Sequence, residues 1–255
     1  MSAALRDPVD KAIEVLRRII DEPGGTWGVR ELARSLGRPP STVYRALARL
    51  QVQGLVAFDE STERYSLGLE MYRLAAKVAG GFSLREAAMP TLLALRDGFN
   101  ETAFLGLLEP GRREMMMVAT VESTHELRYV VTTNEWRPLY RGASGVAILA
   151  FLGEQGLEAV LRDVHRSPVG RDGTVTEQHV RDLVDGTRRT GYAKTVGERV
   201  PDAVGIAAPI FDPRGGVIGS VGVTMPSARF GAEREPEFAS AVIDAAQRVT
   251  RELIY

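Results

Sequence analysis

The side chains whose types and spacing point most directly to chemistry lie between Arg38 and Leu50. Ser41, Arg45 and Arg49 recur at i, i+4 and i+8, so a helix would place them on one face, with Thr42 and Tyr44 on its flanks. Hydroxyls at a helix start with arginines behind them suit the reading of duplex DNA. The first side chains reach base edges in the major groove and the guanidiniums hold phosphate. Arg38, just ahead, adds a further cation. The same pattern fits an amphipathic helix with a merely solvated basic face, so the local charge is needed to choose. Residues 28–54 hold Arg30, Arg34, Arg38, Arg45 and Arg49 against Glu31 alone, a local +4 in a chain of net −1, which leaves −5 elsewhere. A basic patch on a mildly acidic chain is the electrostatic footprint of a DNA-binding module.

Other chemistries find little support. The chain has no cysteine, which excludes disulfides and thiol nucleophiles and removes the usual zinc ligands. Gly142-Ala-Ser-Gly145 lacks the Gly-x-Ser-x-Gly spacing of a nucleophile elbow. His125, His165 and His179 stand in polar segments rather than at a strand–turn–helix, and no phosphate-binding Gly-Lys-Ser/Thr loop is present. A hydrolase using Ser144 remains an alternative class, as does a winged helix that binds protein instead of DNA. No cofactor and no metal are expected.

The elements that must position these residues follow from periodicity. Val9, Ile13, Leu16 and Ile20 mark a first helix, broken at Pro23-Gly24-Gly25, with Thr26 as a candidate N-cap for the next. Val29, Leu32, Ala33 and Leu36 mark a short helix that Gly37 ends. Pro39 and Pro40 suit the first turn of the following helix, whose Val43, Leu47 and Leu50 share the face opposite the arginines. Two helices on a tight Gly-containing turn make a helix-turn-helix. Residues 55–58 and 64–67 then read as the two strands of a wing. Leu69, Tyr72, Leu74, Ala75, Ala76 and Val78 form a linker helix closed by Gly80-Gly81.

Beyond Phe82 the pattern changes. A helix over 84–99 precedes strands at 103–108, 114–120 and 127–132. A helix is expected after Gly145 and another over 177–189. Strands follow at 192–195, 204–211 and 217–224, and a last helix carries Phe238, Val242, Ala246, Val249 and Leu253. Hairpin-linked strands with helices before and after argue an α+β domain with an antiparallel sheet. The expected division is 1–68, 69–81 and 82–255. The N-terminus has no signal-peptide run and no segment reaches membrane-spanning length, so a cytoplasmic protein is expected.

In this order the chain resembles the IclR (isocitrate lyase regulator) family of bacterial transcription factors. The likeness rests on Ala12 to Leu16, Glu31 to Leu47, Arg64 to Gly68, Arg137-Pro-Leu139, Gly191-Tyr-Ala193 and Gly205 to Asp212. It implies a winged helix-turn-helix, a linker helix used in dimerisation and a GAF-like effector-binding domain. It also implies a ligand-responsive regulator, expected to be a repressor of catabolic genes, acting on operator DNA as a homodimer or homotetramer. The family's ligand contacts fall on Leu127, Ala143, Ser144, Gly145, Thr195, Gly205, Gly222 and Thr224. Small residues before a helix let backbone N–H groups point at an anion. The family usually has His at Tyr140 and Lys at Val146, and often Asp at Thr195, Cys at Gly205 and Ser at Gly222. These departures imply a roomier, less polar pocket for a small organic or aromatic acid, a monoanion with an apolar body held at the Ser144 end.

Overall fold

The computed structural model describes residues 7–22, 25–80, 83–164 and 175–252. Pro23, Gly24, Gly81, His165 and Leu253 lie outside the described residues. The chain divides into two compact units, Met1–Phe82 and Ser83–Tyr255.

The first unit comprises α1 (Pro8–Ile20), α2 (Val29–Leu36), α3 (Pro40–Val52), β1 (Val56–Asp59), β2 (Arg64–Leu67) and α4 (Leu69–Gly80). Asp7 caps α1, its carboxylate accepting from the Val9 N–H at 2.7 Å, and Pro8 fills the first helical position. The core face of α1 is centred on Val15 and Ile19, with Ala12 and Leu16 packed beside them. Val9, Ile13 and Ile20, expected on that face, are exposed instead. The apolar stripe is wider than the contact it makes, so the i, i+4 count alone misplaces its centre by one residue position.

Thr26 is not the N-cap of α2. Gly28 holds that place, its N–H donating to Glu31 Oε2 at 3.4 Å, while Thr26 Oγ1 accepts from Arg64 Nε at 2.8 Å. Gly37 closes α2 at φ 62°, where a side chain would be strained. Leu32 and Ala33 of α2 pack with Val43, Ala46, Leu47 and Leu50 of α3. Each fully enclosed aliphatic side chain there contributes about 1.5–3 kcal/mol. The wing pairs antiparallel from Val56↔Leu67 to Asp59↔Arg64, and Trp27 bridges Tyr65 on the other side of β2.

The second unit runs α5 (Ser83–Phe99), β3 (Thr102–Glu109), β4 (Glu114–Val121), β5 (Trp136–Pro138), α6 (Gly142–Leu149), α7 (Glu154–Val164), α8 (Glu177–Thr190), β6 (Ala193–Val196), β7 (Ala203–Phe211), β8 (Val217–Pro226) and α9 (Glu235–Glu252). One antiparallel sheet has the order β5-β4-β3-β8-β7-β6. Alternate residues face opposite layers. Leu105, Ile206 and Val223 pack with α5 and α9, whereas Phe104, Met117 and Ala207 pack with α6, α7 and α8.

Three elements differ from expectation. Residues 127–132 form no strand, and the edge of β4 is taken by Trp136–Pro138 instead. Side chains satisfy the backbone of that irregular segment: Thr102 Oγ1 donates to the Tyr129 carbonyl at 3.1 Å and Arg229 Nη1 to that of Leu127 at 2.8 Å. No element was expected over 154–164, yet α7 buries Leu157, Val160, Leu161 and Val164 at i, i+3, i+4 and i+7. α6 begins at Gly142, so Ser144 and Gly145 lie inside its first turns rather than before it. Among the described residues, no helix is long and apolar enough to cross a membrane.

Candidate functional site

In the first unit, α3 turns Ser41, Tyr44, Arg45 and Arg49 outward and leaves Thr42 half-buried. Arg45 Nε donates to the Ser41 carbonyl at 3.2 Å, which lays its guanidinium along the helix surface. Among the described residues neither Arg45 nor Arg49 has a carboxylate partner, and Glu31 is already engaged by Arg64 at 2.7 Å. Their charge is therefore open to phosphate. Arg38 differs: Nε and Nη2 lie 3.1 and 3.4 Å from the two carboxylate oxygens of Glu14. That fork ties α1 to the turn between α2 and α3, so Arg38 braces the start of α3 and is not a free cation.

In the second unit a cavity of about 200 Å³ opens between the sheet and the start of α6. Its floor includes a row across three strands, Thr195 opposite Gly205 and Gly205 opposite Thr224. Gly205 keeps the floor low: a Cβ there would stand 3.2 Å from the Ala143 Cβ and 3.5 Å from Thr195 Oγ1. Thr224 Oγ1 donates to the Val204 carbonyl at 3.2 Å. Above the row, Arg141 occupies the N-cap of α6, with Gly142, Ala143 and Ser144 in its first turn. The N–H groups of a first helical turn have no intrahelical acceptor, and the helix dipole adds positive potential there.

Ala143, Ser144, Thr195, Gly205 and Thr224 thus line one cavity. The Ser144 hydroxyl lies 2.6 Å from Ser220 Oγ, both buried. Leu127, Gly145 and Gly222 lie outside the lining. Leu127 is 71% exposed. A Cβ on Gly145 would stand 2.4 Å from the Leu139 carbonyl oxygen, and one on Gly222 2.2 Å from that of Ile206. Both glycines serve close backbone packing.

The lining also holds charged groups that sequence reasoning passed over: Arg137, Arg141, Arg199 and Glu198. Arg137 is only 8% exposed, and its Nε and Nη1 are buried with no hydrogen-bond partner among the described residues. Its Nη2 donates to the Thr132 carbonyl. Arg141 Nε is likewise buried and unpartnered. Arg199 is exposed as a residue, but partial burial of its guanidinium pushes it below its usual range, against the pull of the Glu135 charge. Glu198 is engaged by His179. One signal was legible: Arg141 precedes the small residues that open α6, and a cation at a helix N-terminus is unfavourable unless an anion joins it. Phe104, Met115 and Met117 supply an apolar wall, and the Tyr129 hydroxyl, donating to the Pro201 carbonyl at 3.0 Å, joins two loops that line the cavity.

Two family models match the chain. Residues 8–60 match the IclR helix-turn-helix domain and residues 76–251 match the bacterial transcriptional regulator IclR C-terminal domain. The chain is 33% identical over 232 residues to the glycerol operon regulatory protein of Streptomyces coelicolor, covering 89% of this chain and 88% of that protein. It is similar to a crystal structure from a Silicibacter species with a TM-score of 0.80 and 26% identity, covering 97% of this chain and 96% of that one. A homologue from Microbacterium hydrocarbonoxydans, solved in complex with 4-hydroxybenzoate, shares the fold with a TM-score of 0.78 at 22% identity, covering 97% of this chain and 99% of that one. These relatives are regulators rather than enzymes, and this chain, with its helix-turn-helix and ligand-binding domain, belongs to the IclR family of bacterial DNA-binding transcriptional regulators.

Proposed function

We propose that the chain is a cytoplasmic repressor of catabolic genes that leaves its operator, or tightens on it, when a small organic acid enters the cavity beside α6. One observation carries the reading: a buried guanidinium with two unpartnered nitrogens lines a cavity that also meets a helix N-terminus. Buried donors left without acceptors are costly, and an anionic ligand removes the cost. The 4-hydroxybenzoate held by the Microbacterium homologue supports an acid of ring size. An engineered cavity of roughly 150 Å³ takes benzene, so one of about 200 Å³ has room for a substituted ring.

Ser41, Thr42, Tyr44, Arg45 and Arg49 read the operator in this scheme, with Arg38 as their support. A single winged helix buries little surface on DNA, and paired modules read symmetric half-sites. Leu69 and Tyr72 of α4 are 85% and 63% exposed, a face suited to a second copy in a homodimer or homotetramer. The test is whether acids that stabilise the protein also change its affinity for duplex DNA that it selects from random sequence.

A further inference from the structure

Among the described residues, the charged side chains lining the cavity are three arginines and one carboxylate, an excess of two positive charges. The single carboxylate, Glu198, is already engaged by His179. Glu135, whose carboxylate lies 3.8 Å from Arg137 and whose charge also acts on Arg199, is 61% exposed and therefore screened by water. The arginines fall into two groups. Arg137 and Arg199 share Glu135 as their acidic neighbour, whereas Arg141 stands at the N-terminus of α6, where the helix dipole adds to its charge. One monocarboxylate meets one group and leaves buried, unpartnered nitrogens in the other, either Nε and Nη1 of Arg137 or Nε of Arg141.

We propose that the cavity binds a two-ended dianion, a compact dicarboxylate with one carboxylate at Arg141 and the first turn of α6 and the other at Arg137 and Arg199. The proposal rests on the effector reading above and specifies its ligand class. The wall of Phe104, Met115 and Met117 accommodates the carbon frame between the two ends. Anchors on different elements, β5 for Arg137 and the N-cap of α6 for Arg141, favour a two-ended acid over a single phosphate, which concentrates both charges on one centre.

The test uses the full-length protein and thermal denaturation with short aliphatic and one-ring dicarboxylates, each beside its own monomethyl ester, and inorganic phosphate. Affinities of the acids that shift the melting temperature are then measured by calorimetry. The expected result is that at least one diacid binds about ten-fold or more tightly than its monoester, the loss being that of one charge-assisted hydrogen-bonded contact. Arg137→Gln should then bring the diacid to the level of the monoester and leave the monoester's affinity unchanged. The proposal is overturned if the monoesters bind as tightly as the diacids, if phosphate outcompetes them, or if no diacid shifts the melting temperature. Ala203→Trp, which fills the cavity from β7, separates the two readings. If it abolishes the binding of monoesters that match their diacids, the cavity is the effector site but its ligand is a monoanion. If it leaves all binding intact, the effector site lies elsewhere and both readings fall.

Discussion

Ser144 and Ser220 meet hydroxyl to hydroxyl at 2.6 Å, both buried, one in the first turn of α6 and the other on β8. This bond pins the start of α6 to the sheet and so fixes where the helix N-terminus points. Ser144→Ala leaves the Ser220 hydroxyl without its partner and should cost about 1–3 kcal/mol of stability, whereas Ser144→Ala with Ser220→Ala should cost less than the sum. Chemical denaturation of the single and double variants measures the coupling. Strictly additive costs would show that the bond does not hold α6.

In the first unit, the free and the engaged arginines should behave differently. Arg45→Gln and Arg49→Gln should each weaken DNA binding with little loss of stability. A lost phosphate contact would lower the salt slope by about one unit, and a lost base contact would relax sequence preference. Arg38→Gln breaks the fork to Glu14, so it should lower the melting temperature, with Glu14→Gln doing the same. Fluorescence anisotropy across a salt series, read beside melting curves, distinguishes the two classes.

Much of this was legible in the sequence. The winged helix-turn-helix could be read because each of its elements carries local signals: Gly37, Pro39-Pro40 and the i, i+4 spacing of Val43 and Leu47. Five of the eight residues placed at the pocket, among them Thr195, Gly205 and Thr224, do line one cavity. The misplaced ones had a different cause. Gly145 and Gly222 are small because backbone passes close by, a tertiary fact that residue type cannot separate from pocket lining. Residues 127–132 alternate like a strand, but side chains such as Thr102 and Arg229 satisfy their backbone. Arg137 and Arg141 are close in sequence, but Arg199 is distant from both, and only the fold brings it to the same cavity.

Acid should weaken the second unit through Glu235. Burial pushes its carboxyl up, but hydrogen bonds from Lys194 and Tyr192 outweigh it, and the folded value lies below the ordinary one. A depressed carboxyl value contributes stability that is present above the unfolded value and lost as pH falls through the folded one. The stability gap between wild type and Glu235→Gln should therefore be full near neutrality and shrink as pH drops through and below the carboxylate range. Urea midpoints across that range check it. A gap that widens in acid contradicts the sign.

Assembly should depend on the exposed apolar face of α4. Leu69→Glu with Tyr72→Glu removes apolar surface and adds like charges to both copies. Light scattering should show a smaller species than wild type, and DNA binding should weaken because two half-sites are no longer held together. Unchanged mass and unchanged affinity would place the interface elsewhere.

The central claim is that a ligand in the cavity beside α6 sets the affinity of α3 for DNA. It is tested most directly by titrating the protein onto a fluorescent duplex selected from random sequence, with and without an acid that raises its melting temperature. The account predicts about a ten-fold or larger change in affinity on adding the acid, a coupling of about 1.4 kcal/mol or more. It further predicts that Ala203→Trp removes this change while leaving ligand-free DNA affinity intact. DNA affinity that stays constant in the wild type, with the cavity demonstrably occupied, would contradict it.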